Sequence, residues 1–303
     1  MSAKYSIPEL VESENSCIMV PCVYDYSSAR AVELAGFKAM LLSGGEVGES
    51  LGGLSEEEMN ESEMLFVASH ICATSPLPMV IDCGCFNPDP PSVFRWSKKF
   101  VEAGAMALLI EDEDDVERED FLKMVKAALK ACEGSRCVVM ARTNRQLDTP
   151  EQIDYAVDLL NSAMDLGAYM SMAVRLDNMD TTMEIGKRVK GLKMYPDQNS
   201  VNGIPQVVNE EIYPYGYQMI SFHYAMKVAM AAMVEYGIKD LEAKNNVPSN
   251  EVRLINGYTG ASALSLFDYQ KKYDLQAEYT GVRKIFRIPG ENATILSSGV
   301  EEK

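Results

Sequence analysis

The sequence is poor in histidine and in basic residues, and it lacks any long apolar run. Only two histidines occur, His70 and His223, and neither belongs to an HExxH motif or a linear Ser/His/Asp pattern, so histidine-driven hydrolysis is disfavoured. Lysine and arginine number 28 against 45 acidic residues, a formal net charge of -17. No basic surface is therefore available to neutralise a phosphate backbone, and nucleic acid is not an expected partner. No segment approaches the roughly 18 uninterrupted apolar residues of a membrane span. The amino-terminal MSAKYSIPELVESENS has no apolar stretch of signal-peptide length, so a cytoplasmic protein with no membrane role is expected. No GxGxxG or GxxxxGK[ST] follows an apolar run, which counts against nucleotide binding.

Cysteine is present but does not form a framework. Cys17, Cys22, Cys72, Cys83, Cys85, Cys132 and Cys137 are odd in number and lie mostly inside apolar runs, which points to buried, reduced thiols. Cys83 and Cys85 lack a second pair or a nearby histidine and make a weak zinc signal. Together with 19 methionines, they suggest soft, adaptable packing.

The most informative feature that is present is a cadence: a helical pattern ends at glycine, and a short apolar run follows. It recurs at Gly36, Gly104, Gly134, Gly167, Gly191 and Gly216, as in VEAG-AMALLIED and MDLG-AYMSMAVR. Glycine supplies the left-handed residue that stops a helix, and a short apolar run is a buried strand. Adding Cys17 to Asp25 and Pro78 to Gly84 brings the count to eight strands, the number of a (β/α)8 TIM-type barrel; an open doubly wound sheet is the less favoured alternative. Helix starts are expected at Ser27, at Ser55 with Glu58 as a capping box before a helix Glu56 to Cys72, and at Ser92. The cadence stops near Ile238, and further helical patterns cover Pro248 to Ile255 and Ala261 to Tyr273. A barrel domain over 1–240 and a helical extension over 241–303 are expected, the extension either capping the barrel or docking on a neighbouring subunit.

Barrel sites lie at the carboxyl ends of the strands, so the residues where each apolar run turns polar should converge. These include Tyr24, Ser43-Gly44-Gly45-Glu46, Asp82, Glu111-Asp112, Arg142 to Arg145, Arg175, Asp197 and His223. Ser43, Gly44 and Gly45 can offer backbone N–H groups and a hydroxyl to a carboxylate or phosphonate, or can form a plain turn. Arg142 can bind a carboxylate bidentately or pair with Glu111 or Asp82. If it serves the ligand, its removal leaves the fold intact. Asp82 and Glu111 suit Mg2+ or a structural network. Glu46 is either an additional carboxylate of the site or a solvent-facing side chain.

With these residues in view, VPCVYDYSSARAVELAGFKAMLLSGG, LPMVIDCG, LLIED and MARTN resemble the isocitrate lyase and phosphoenolpyruvate mutase superfamily in order and spacing, across roughly Met19 to Glu235. The resemblance implies Tyr24, Ser43, Gly44, Gly45 and Arg142 as substrate contacts, Asp82 and Glu111 as metal-site residues, Asp82 and Arg142 as catalytic, Mg2+ as cofactor, a small anionic carboxylate as substrate, and a homo-oligomer, a tetramer being favoured. There are three departures. The family's Asp-Ala-Asp reads Asp82-Cys83-Gly84 here. The mobile lid with its Lys-Lys/Arg-Cys-Gly-His motif is missing after Glu111-Asp112, and Arg175 stands near the place of the strand-six glutamate. The expected function is a Mg2+-assisted lyase or decarboxylase acting on a 2-oxo or 2-hydroxy carboxylate through an enolate. A phosphonate mutase or hydrolase, and a non-catalytic metabolite- or partner-binding barrel, are the alternatives.

Overall fold

A computed structural model of the chain describes residues 3–53, 58–84, 87–112, 116–197, 200–201, 204–205, 207–255, 266–267 and 269–282. All eight expected strands form, and they close. The barrel is built from β1 (Ile18–Val23), β2 (Met40–Leu42), β3 (Met79–Asp82), β4 (Ala107–Asp112), β5 (Val138–Thr143), β6 (Met170–Ala173) and β7 (Leu192–Tyr195). A short antiparallel pair, β8 (Ser200–Val201) and β9 (Ile204–Pro205), intervenes before β10 (Tyr217–Phe222), which completes the ring between β7 and β1. All barrel pairings are parallel, which requires a crossover between consecutive strands.

The six cadence glycines all have positive φ. At Gly104, which ends helix α5 (Pro90–Ala103) at φ 109°, an added Cβ would also sit 3.2 Å from the Cβ of Cys72. Backbone conformation and close approach both favour glycine there.

The period-2 alternation of the strands divides the apolar residues into two layers. Along β4, Leu108 and Ile110 face the helices, whereas Ala107 and Leu109 face the barrel interior. That interior is rich in methionine, with Met140, Met170, Met172, Met194 and Met219 all buried. Unbranched thioether chains fill such an irregular space at little rotamer strain. Helix α1 (Ile7–Ser13) contributes Ile7, Leu10 and Val11 to the same inner cluster. Six of the seven cysteines are buried free thiols, and Cys85 lies outside the described residues.

Three helix starts differ from expectation for local reasons. Helix α2 (Tyr26–Leu34) is capped by Asp25, one turn ahead of Ser28, whose N–H donates to the carboxylate at 2.7 Å. Helix α4 (Glu61–Thr74) begins at a capping box of Asn60 and Glu63 rather than inside 56–60; Ser55 and Glu56 lie outside the described residues. Helix α5 is capped by Asp89 instead of Ser92, because Pro90 and Pro91 lack N–H groups and fit the first turn.

The chain divides into two compact units, Met1–Met226 and Lys227–Lys303. Helix α10 (Ala225–Ala243) has its first two residues in the first unit and the rest in the second. The pattern expected over Pro248 to Ile255 is reduced to one turn, Val247–Asn250, and that over Ala261 to Tyr273 lies largely outside the described residues, where the next described helix is Tyr269–Thr280. Among the described residues no helix is long and apolar enough to cross a membrane.

Candidate active site

Strand register decides which side chains meet at the carboxyl ends. Glu111 on β4 lies directly opposite Arg142 on β5, and Asp82 on β3 pairs with Leu109, two residues before Glu111 and on the same face. Asp82, Glu111 and Arg142 are thereby drawn together at the mouth. Arg142 Nη1 donates to Glu111 Oε1 at 2.6 Å and to Asp82 Oδ1 and Oδ2 at 3.1 and 3.2 Å, while its Nε donates to Asn144 Oδ1 at 2.7 Å. Asn144 Nδ2 in turn donates to Glu111 Oε2 at 2.9 Å. Both carboxylates are buried, and the guanidinium is largely so. Burial works against ionisation of Asp82, yet the adjoining Arg142 charge and the surrounding hydrogen bonds outweigh it and hold its carboxyl below the usual carboxylate range.

Of the two roles open to Arg142, the ion pair is therefore present. Removing the cation would take the shared counter-charge from two buried carboxylates, which argues against the expectation that its loss leaves the fold intact.

Ser43 directly follows β2 and caps the short helix α3 (Gly44–Ser50), its Oγ accepting from Glu46 N. Its neighbours Gly44 and Gly45 supply the first N–H groups of that helix, which have no intrahelical partner. Gly45 borders the mouth, and an added Cβ there would meet nothing within 4 Å, so this stretch of backbone is open to a ligand. Glu46 does not point to solvent. It is buried, its Oε2 has no hydrogen-bond partner among the described residues, and burial raises its pKa.

The mouth is a cavity of about 500 Å³ bordered by Ser43, Gly45, Asp82 and Arg142 together with Asp197 and His223. Glu111 sits behind Arg142, while Tyr24 and Gly44 are near the site but do not border the cavity. Arg175 is exposed on the rim, its Nε donating to Asn144 O at 3.3 Å. His70 lies on α4, far in topology from the mouth, with its ring against Phe66.

One constellation escapes a linear search. Ser43 Oγ lies 3.3 Å from His223 Nε2, and His223 Nδ1 lies 2.9 Å from Asp197 Oδ1. The Ser/His/Asp pattern missing from the sequence is assembled by the barrel, from the ends of β2, β7 and β10; β2 and β10 flank β1 in the ring, and β7 lies beside β10. Asp197 and His223 are among the strand-end residues expected to converge; what the sequence does not show is their pairing with each other and with Ser43.

Asp112, next to Glu111, belongs to a different network. Fully buried, it accepts from Thr143 Oγ1 at 2.9 Å and from Arg145 Nε and Nη2 at 2.8 and 3.1 Å. Arg145 also donates to Val116 O at 2.5 Å and stacks over Tyr155.

Comparison with known proteins agrees with this architecture. The chain matches the family described as phosphoenolpyruvate phosphomutase over residues 9–241. It is 25% identical over 288 residues to the chloroplastic carboxyvinyl-carboxyphosphonate phosphorylmutase of Arabidopsis thaliana, covering 89% of this chain and 83% of that one. To the 2-methylisocitrate lyase of Aeropyrum pernix it is 22% identical over 276 residues, covering 87% and 88%. The crystal structure of 2,3-dimethylmalate lyase superposes with a TM-score of 0.75 at 25% identity, covering 92% of this chain and 100% of that one. A closed eight-stranded parallel barrel and a family match over most of its length together show that the chain belongs to the isocitrate lyase and phosphoenolpyruvate mutase superfamily.

Proposed function

We propose that the mouth binds a small 2-oxo or 2-hydroxy carboxylate and breaks a bond next to C2 through an enolate, as a carbon-carbon lyase or decarboxylase. The observation that carries this is the Asp82–Arg142–Glu111 cluster facing the Ser43-capped helix across a cavity of about 500 Å³. Arg142 offers a charge-assisted grip on the substrate carboxylate, and the Ser43 hydroxyl and Gly45 amide, which border the cavity, offer neutral donors from the other side. Such donors are already in place before charge develops, which is what makes them effective on an enolate oxygen.

Asp82 and Glu111 fit a hard divalent cation. They are two oxygen-donor groups sharing one guanidinium, which leaves net negative charge in a largely dry site. They are the residues that would hold Mg2+ and its waters, in exchange for Arg142, and the ion would there polarise the 2-oxygen of an adjoining substrate. Phosphonate rearrangement or hydrolysis is the second reading, favoured by the phosphorylmutase relative. The buried Glu46 and the acidic Asp197 near the mouth oppose the higher charge of a phosphonate dianion.

A thermal-shift screen of oxaloacetate, pyruvate, malate-type diacids and phosphonopyruvate, each with and without Mg2+, tests the proposal. An oxo- or hydroxy-acid at a hundred times its Kd should stabilise the fold by about 2.7 kcal/mol. Silence from every compound would sink it, and a response to phosphonopyruvate alone would favour the second reading.

We also propose a homo-oligomer. Met230, Met233, Val234, Ile238 and Leu241 on α10 are exposed apolar residues at helical spacing, an arrangement that favours burial against another chain. Light scattering at micromolar concentration should give a multiple of 33.5 kDa; a monomer would refute it.

A further inference from the structure

The proposed chemistry leaves a carbanion that must be protonated, and the sequence lacks the lid cysteine that the resemblance would supply. Helix α6 (Arg118–Cys132) begins soon after β4 ends at Asp112. The proton then comes either from solvent or from a group at the barrel mouth itself.

We propose that His223 is the catalytic acid–base residue of this barrel, its Nε2 giving the proton to the enolate carbon, and that Asp197 is its positioning residue. The inference rests on the enolate reading above. Three features of the geometry carry it. First, the ring is held from one side: Asp197 Oδ1 accepts from both the His223 backbone N–H, at 3.0 Å, and the ring Nδ1, at 2.9 Å. Asp197 is itself anchored, its N–H donating to Ser221 Oγ at 3.1 Å, and Ser221 Oγ donates to Tyr195 O. An ionised carboxylate only accepts, so the proton of a neutral ring resides on Nδ1 and the lone pair is on Nε2. Second, Nε2 faces Ser43 Oγ at 3.3 Å, where the hydroxyl can donate to it while accepting from Glu46 N. Third, the imidazole is 44% exposed and borders the same cavity as Asp82 and Arg142, so a substrate held by the arginine occupies the cavity that the ring faces.

The surroundings favour a ring that can carry a proton. The hydrogen bond to Asp197 raises the His223 pKa most, burial opposes it, and the charges of Asp197, Glu46 and Asp82 add to the rise. The step balances without a further reactant. In decarboxylation of a 2-oxo diacid the C3–carboxylate bond breaks, the carboxylate carbon leaves as CO2, and the electron pair of the bond remains as the enolate. A C3–H bond then forms as the imidazolium Nε2–H bond breaks, and the neutral ring is reprotonated by water. Run backwards from pyruvate, the same ring removes a methyl proton.

Exchange of the pyruvate methyl protons with D2O, followed by proton NMR in the presence of Mg2+, provides the test, with oxaloacetate decarboxylation as a second assay. His223→Gln is expected to slow both by about 10²- to 10⁴-fold while the pyruvate-induced thermal shift is retained. Added imidazole should partly restore exchange in His223→Ala, a rescue that a structural role would not give. Asp197→Asn should lower the rate and displace the pH profile. With only two histidines in the chain, ring-nitrogen NMR can also read the tautomer directly. A wild-type protein that exchanges normally alongside an equally active His223→Gln would overturn the assignment and leave the enolate reading standing. An Nε2–H tautomer in the neutral wild-type ring would overturn it too. A wild-type protein that neither exchanges pyruvate nor decarboxylates oxaloacetate would overturn both.

Discussion

Replacing Arg142 with alanine is expected to lower the unfolding free energy by about 3–5 kcal/mol at neutral pH, because it leaves buried Asp82 and Glu111 without their shared cation. The same substitution should cut turnover of the best substrate by at least about 10²-fold, the loss typical when one preorganised donor to a developing oxyanion is removed. Arg142→Lys should recover part of the stability and little of the activity, since a point charge cannot reproduce the planar fork that reaches both carboxylates and Asn144. The pH dependence has a definite sign. Asp82 has a depressed pKa in the folded protein, so its contribution is fully present above the ordinary aspartate pKa and is lost as pH falls below about 4. The gap between wild type and Arg142→Ala should therefore be wide at pH 7 and narrow on acidification. If Mg2+ competes with Arg142 for the two carboxylates, Mg2+ should raise the melting temperature of Arg142→Ala more than that of the wild type. Equal urea stability of the two proteins at pH 7 would refute the ion-pair account, and indifference of the variant to Mg2+ would remove Asp82 and Glu111 from the metal proposal.

Asp112→Ala is expected to cost a similar amount, about 3–5 kcal/mol, for a reason unrelated to chemistry. Its carboxylate, fully buried, holds Thr143 and Arg145 at the start of the β5–α7 connection, ahead of helix α7 (Pro150–Leu166). Without it, the partly buried Arg145 guanidinium keeps its bond to Val116 O and its place over Tyr155 but loses the two hydrogen bonds and the buried charge of Asp112. Asp112 does not border the mouth, so the folded fraction of Asp112→Ala, assayed well below its melting temperature, should retain near-normal turnover. Arg142→Ala should not. Chemical denaturation together with activity per folded molecule separates the two variants. A variant of Asp112 that is stable, or one that is folded and dead, would show that the neighbouring acids Glu111 and Asp112 have been assigned to the wrong networks.

These two residues show how far a sequence can be read. Glu111 and Asp112 are consecutive acids at one strand end, and nothing local distinguishes them. Side-chain alternation sends one toward the mouth and the other toward the helices, and only the register of β4 against β5 identifies their partners as Arg142 and Arg145. Helix starts were legible as a class but not to the residue, since Asp25, Asn60 and Asp89 compete as caps with nearby serines and the first turn is settled by proline placement and packing.

The sequence by itself determined the eight-strand barrel, because glycine stops, apolar runs and helical periods are local properties that repeat along the chain. It also determined that Ser43, Asp82, Glu111 and Arg142 stand at strand ends, since that position is fixed by where each apolar run turns polar. Only the tertiary structure decided that Arg142 bridges Asp82 and Glu111 rather than standing free, and that Glu46 is buried. Only it brought Ser43, Asp197 and His223, up to 180 residues apart, within hydrogen-bond reach. The physical reason is that a closed barrel places strand ends in a ring whose neighbours are set by chain closure, so β10 returns beside β1 and long-range charge and hydrogen-bond partners are chosen by that closure.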